Sequence, residues 1–169
     1  MELEKRPESR VLLVFDTDSP LSSELSQAYI SAIEQHNIPA TIIEFDPENT
    51  RPIWDAVESA NPDDVAVLVQ TGSFRLDEFR FRLVLYRHGF RVVEHPHLGH
   101  NAPDQTETYI DTLTYDMPHF EAVFQQCQNL FNGSKKTVIR STDGSVLEYS
   151  GTMDKVLANT GDFSAAEKK

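Results

Sequence analysis

The sequence predicts an α/β fold, a doubly wound and mostly parallel sheet followed by a C-terminal β-hairpin extension. Three observations carry that expectation. Short, continuous apolar runs such as VLLVF (residues 11–15) and VAVLV (65–69) read as strands buried on both faces, as parallel strands covered by helices are. Stretches of helical periodicity separate these runs and give a β-α-β-α-β-α-β series. Near the end, TVIRSTDGSVLEYSG places Asp143-Gly144 between two alternating runs, a strong short-range hairpin signal.

Residues 1–9 are mostly charged or polar and read as a flexible tail. After the first strand, Ser19 is placed to cap a helix, Pro20 takes its first position, and Leu21, Leu25, Ala28, Tyr29, Ala32 and Ile33 form one apolar stripe. TIIEF (41–45) is the second strand, 52–59 the second helix and VAVLV the third strand. A third helix is expected over 76–88, with Ser73 as its cap, before FRVV (90–93) as the fourth strand. A less regular stretch, 96–116, leads into a helix over 118–131 that Asn132-Gly133 ends by C-cap chemistry. The α/β domain therefore spans 10–135, the hairpin extension 136–163, and a second flexible tail 164–169. A two-stranded hairpin alone is marginal in water, so Val138, Ile139, Val146 and Leu147 need a cover, from the core or from another chain.

With 169 residues, of which 39% are hydrophobic and 25% charged, the chain has room for one core and a small appendage. A net charge of -12 argues against nucleic-acid or anionic-membrane partners, since an acidic surface is repelled by phosphates. No apolar run reaches membrane-spanning length and the N-terminus lacks a secretory pattern. Cys127 is the one cysteine, which excludes an intramolecular disulfide; in HFEAVFQQCQNLF it reads as a small buried apolar residue, and the expected location is cytoplasmic.

In such sheets ligands favour the loops at the carboxyl ends of the strands. Four loops qualify, at 16–19, 46–49, 70–73 and 95–100. VLLVFDTDSPL resembles the nucleophile motif of haloacid-dehalogenase-type phosphatases, with Asp16 and Asp18 positioned to hold magnesium and form an aspartyl-phosphate. Pro20 departs from that motif, and no acidic loop follows a further apolar strand. The competing reading is that Asp16, Asp18 and Ser19 cap the first helix. His95, His97 and His100 lie within six residues, but Pro96 and Gly99 break the spacing a zinc site needs. Gly72 lacks both the G-x-G-x-x-G and the G-K-[ST] context, so no cofactor is expected. Ser73 likewise lies outside a nucleophile elbow.

Charge placement is more distinctive. Arg75, Arg80, Arg82, Arg87 and Arg91 supply five of the fifteen basic residues of this acidic chain within one short segment. Guanidinium groups bind carboxylates bidentately, so these arginines, with His95, His97 and His100, form a candidate surface for an acidic peptide or protein segment. Self-association or pairing with a related subunit is the second partner expected, through the hairpin.

RVLLVFDTDSPLSSELSQAYISAIEQHN and VAVLVQTGSF, followed by STDGSVLEYSG and NTGDF, resemble the N-terminal part of the aminopeptidase T (leucyl aminopeptidase) group, whose architecture is shared by dihydroxypyridine-dioxygenase-like relatives. That group's metal ligands lie in a later catalytic domain, so the resemblance assigns no catalytic residue to this chain. It implies an N-terminal domain of a metallopeptidase-like protein retained for binding or assembly, as an accessory protein in peptide natural-product biosynthesis would be.

Overall fold

A computed structural model describes residues 9–62, 64–76, 78–114, 116–153 and 155–157. Its contacts separate two units, one running to Thr112 and the other from Leu113 onward.

The first unit contains β1 (Val11–Phe15), α1 (Pro20–Gln35), β2 (Ala40–Glu44), α2 (Arg51–Glu58), β3 (Val65–Val69), β4 (Arg75–Leu76), β5 (Phe79–Arg80), α3 (Phe81–Arg87), β6 (Arg91–His95) and α4 (Thr106–Thr112). Its main sheet has the order β2-β1-β3-β6, and every pairing is parallel. The chain winds outward from β1 to β2, then passes back to β3 on the other side of β1, so the winding reverses between β1 and β3. This is the doubly wound α/β arrangement expected. Side chains of successive strand residues alternate between faces. Leu12, Val14, Ala66 and Leu68 pack with Ile53 and Val57 of α2 and with Phe81, Val84 and Leu85 of α3. Leu13 and Val67 take the opposite alternation, and α1, which contacts β1 and β3, buries Leu21, Leu25 and Ile33.

Local chemistry explains most boundaries. Ser19 caps α1 by accepting from the Ser22 N–H, while the Ser22 hydroxyl accepts from the Ser19 N–H, each at 3.1 Å. The third helix differs from expectation. Leu76 and Phe81 are both fully buried, yet five residues along one helix lie about 140° apart around its axis. The chain satisfies both by forming the antiparallel β4–β5 ladder first and starting α3 at Phe81, with Arg80 rather than Ser73 at its N-cap. The irregular 96–116 stretch contains two 3-10 turns, Leu98–His100 and Pro103–Gln105, and the short helix α4.

The second unit comprises α5 (Met117–Phe131), β7 (Lys136–Arg140) and β8 (Val146–Ser150). Asp116 caps α5 by accepting from the His119 N–H at 3.0 Å, and Gly133, at φ 73°, follows its end. The hairpin expected around Asp143-Gly144 is present, with Gly144 at φ 89° and Ile139 opposite Leu147. By its contacts α5 groups with this hairpin, and the boundary between the two units falls at 112/113. No described residue from Leu113 to Leu157 is buried, and Cys127, expected in a core, is half-buried. The expected tails and the NTGDF segment fall outside the described residues, apart from Ser9. Among the described residues no helix is long and apolar enough to cross a membrane.

Candidate functional site

At the strand ends flanking the winding reversal, Asp16 follows β1 and Gln70-Thr71 follows β3. The Asp16 carboxylate is almost fully buried and accepts from the Thr71 backbone N–H at 2.8 Å and from the Thr71 hydroxyl. The Thr71 hydroxyl is also 2.8 Å from the Ser22 hydroxyl. Asp16 thus ties the two central strands to the start of α1, while Asp18 points to solvent. The two aspartates that resemble a phosphatase motif therefore differ in environment. Among the described residues no group of three His, Cys, Asp or Glu side chains could hold a metal ion.

The chain itself lies over the end of β3. The N–H groups of His97, Leu98 and Gly99 donate to the carbonyls of Gly72, Gln70 and Thr71 at 2.8, 3.0 and 3.0 Å. His97 adopts a left-handed conformation, φ 59°, to turn into this contact. A Cβ on Gly99 would come within 2.7 Å of the Thr71 methyl and 3.1 Å of its carbonyl oxygen. At the other end of the sheet, a cavity of about 20 Å³ beside Arg10, Asp64 and Phe90 has room for about one water molecule.

The three histidines do not form one group. His95 is buried, with Nε2 2.8 Å from the Tyr29 hydroxyl and Nδ1 3.1 Å from the Tyr109 hydroxyl. Burial lowers its pKa from 6.5 to about 4, so it is neutral at pH 7, one ring nitrogen donating and the other accepting. Burial, with a smaller contribution from Tyr109, raises Tyr29 to about 12, and burial also raises Tyr109. His97 and His100 are exposed and stack on each other at 5.3 Å.

The arginine segment divides as well. Arg82 pairs with Glu94 at 2.8 Å, and Glu94 also accepts from the Gln70 side-chain amide at 3.0 Å. Gln70 is fully buried and its carbonyl accepts from the Phe74 N–H at 2.6 Å. This chain of contacts fastens α3 and the 70–74 loop to β6. The hydrogen bond and charge of Glu94 raise the Arg82 pKa further. Arg91 is half-buried at the start of β6.

Arg75, Arg80 and Arg87 remain exposed. Among the described residues no carboxylate lies within ion-pair distance of any of them. Arg75 and Arg80 are directly opposed across the β4–β5 ladder, and the Arg87 guanidinium sits 5.8 Å from the centre of the Phe79 ring. With them are exposed apolar side chains that the charge count missed: Phe79 at 53%, Leu83 at 44% and Tyr86 at 56%. Their signal lies in α3 itself, where Leu83, Tyr86 and Arg87 stand at i, i+3, i+4 on the side away from buried Phe81, Val84 and Leu85. The helix is apolar on two sides, and one of them stays exposed among the described residues.

No family model, curated protein or solved structure matches this chain.

Proposed function

We propose that the chain is a non-catalytic binding protein that docks a peptide, or a segment of another protein, on the outer face of β4, β5 and α3. The observation that carries this reading is the interleaving of exposed Phe79, Leu83 and Tyr86 with Arg75, Arg80 and Arg87. Aromatic residues and arginine are the types enriched at interface centres, where they carry much of the binding energy. Three neighbouring arginines with no carboxylate of a described residue in ion-pair range, in a chain of net charge -12, favour an acidic partner segment. The magnesium-phosphatase alternative has less support, because the carboxylate it needs as nucleophile accepts hydrogen bonds from Thr71 and acts as a strut.

A set of synthetic peptides, acidic, basic or neutral and each with or without a Leu-Phe anchor, tests the reading by fluorescence anisotropy. Acidic peptides with the anchor should bind best, and Leu83→Asp with Tyr86→Asp should weaken them by about tenfold or more, since both positions are exposed and the fold should persist. Equal binding by the variant, or no binding by any class, would remove this face from consideration.

A further inference from the structure

Taking that docking face as given, we infer that Arg75 and Arg80 form a two-guanidinium clamp for a pair of adjacent carboxylates, an Asp/Glu doublet beside the partner's apolar anchor. The two residues are register partners in the β4–β5 ladder, so their side chains leave the same face of the ribbon. Directly opposed side chains have Cβ atoms roughly 5 Å apart, and like charges there destabilise a ladder. The fold nevertheless keeps the two together, with no carboxylate of a described residue in ion-pair range. A dianionic group between them would remove the repulsion and offer each planar fork a bidentate acceptor.

The ladder is also held in place before any partner arrives. Leu76, next to Arg75, is 1% exposed, and the Phe81 N–H that follows Arg80 donates to the Phe74 carbonyl at 3.1 Å. Phe74 is itself fixed through Gln70. The Arg75 guanidinium donates to the Glu78 carbonyl at 3.3 Å, which restrains one fork, and Arg87 on Phe79 supplies a third positive charge nearby. Side chains restrained in this way lose less rotamer entropy on binding. The overall charge of -12 sets the size of the ligand: a long polyanion would run onto the acidic remainder of the surface, whereas a doublet ends within the clamp.

Three peptides sharing one Leu-Phe anchor test this, carrying Asp-Glu, the isosteric Asn-Gln, or phosphoserine in the adjacent positions. Calorimetry at low and high salt compares their binding to wild type, Arg75→Gln/Arg80→Gln and Leu83→Asp. The Asp-Glu peptide should bind wild type about tenfold more tightly than Asn-Gln. That advantage should shrink with salt and vanish in the double-arginine variant, which should still bind Asn-Gln as wild type does. Equal affinity of the Asp-Glu and Asn-Gln peptides, with both lost in Leu83→Asp, would overturn the clamp and leave the docking face standing. Binding of none of the three would overturn both. Binding of the phosphoserine peptide without the Asp-Glu one would overturn the carboxylate assignment. Should the double variant unfold, Arg75→Lys keeps the charge without the fork, and loss of the Asp-Glu preference there carries the same inference.

Discussion

His95 is enclosed by two tyrosine hydroxyls, and its depressed pKa has a thermodynamic consequence. In the unfolded chain the imidazole takes up a proton near pH 6.5, whereas in the folded chain it does so only near pH 4. Between those values the unfolded state binds more protons, so this contribution to stability is complete above pH 6.5 and is lost as pH falls toward 4. The total amounts to about 3 kcal/mol. Urea unfolding at a series of pH values should show this loss in wild type and a shallower slope in His95→Gln, which keeps a donor and an acceptor for the tyrosines. Equal slopes would show that His95 is not the group responsible. The inward position of His95 had a signal in the sequence, since period-two alternation puts it on the same side as buried Val93. The outward and inward arginines had no such signal: Arg82 differs from Arg80 and Arg87 by its reach to Glu94, a contact made only by the tertiary fold.

Gly99 shows how one loop depends on another. Thr71 cannot swing away from an added Cβ, because its hydroxyl is engaged by both Asp16 and Ser22 and its carbonyl belongs to the backbone. Gly99→Ala should therefore cost about 1–3 kcal/mol in urea unfolding. Gly72→Ala, with nothing within 4 Å of the added atom, serves as its control and should change little. A Gly99→Ala protein as stable as the control would mean that the loop over β3 yields freely. The strands beneath were readable because burial on both faces demands unbroken apolar runs, as in VLLVF and VAVLV. The β4–β5 ladder was not: in RLDEFRFRL, Leu76, Phe79 and Leu83 imitate a helical stripe, and only the need to bury both Leu76 and Phe81 breaks it. Helix α4, TETYIDT, is short and polar, so it has almost no periodicity to read.

The two units differ most in what holds them. Ten of the fourteen large hydrophobic residues exposed in the described chain lie from Leu113 onward, where no described residue is buried. On the hairpin, Ile139 opposes Leu147 and Thr137 opposes Tyr149, which makes one ribbon face free of charge. The 2.9 Å Lys136–Glu148 pair lies on the other face. A charge-free face is where two copies of an acidic chain can meet with least repulsion. Sedimentation from micromolar to millimolar loading should accordingly show a reversible dimer weakened by Leu147→Glu. A monomer throughout would mean that the hairpin does not self-associate. The central sheet raises a different matter, the order of events in folding. β1 leaves the ribosome before both of its sheet neighbours, yet it occupies the interior of the sheet between β2 and β3. Its Leu13 must wait for Ile42 on one side and for Val67 on the other. Parallel pairings across such separations form slowly. An apolar strand made early but completed late is the interval in which this chain is most open to association with other unfolded chains.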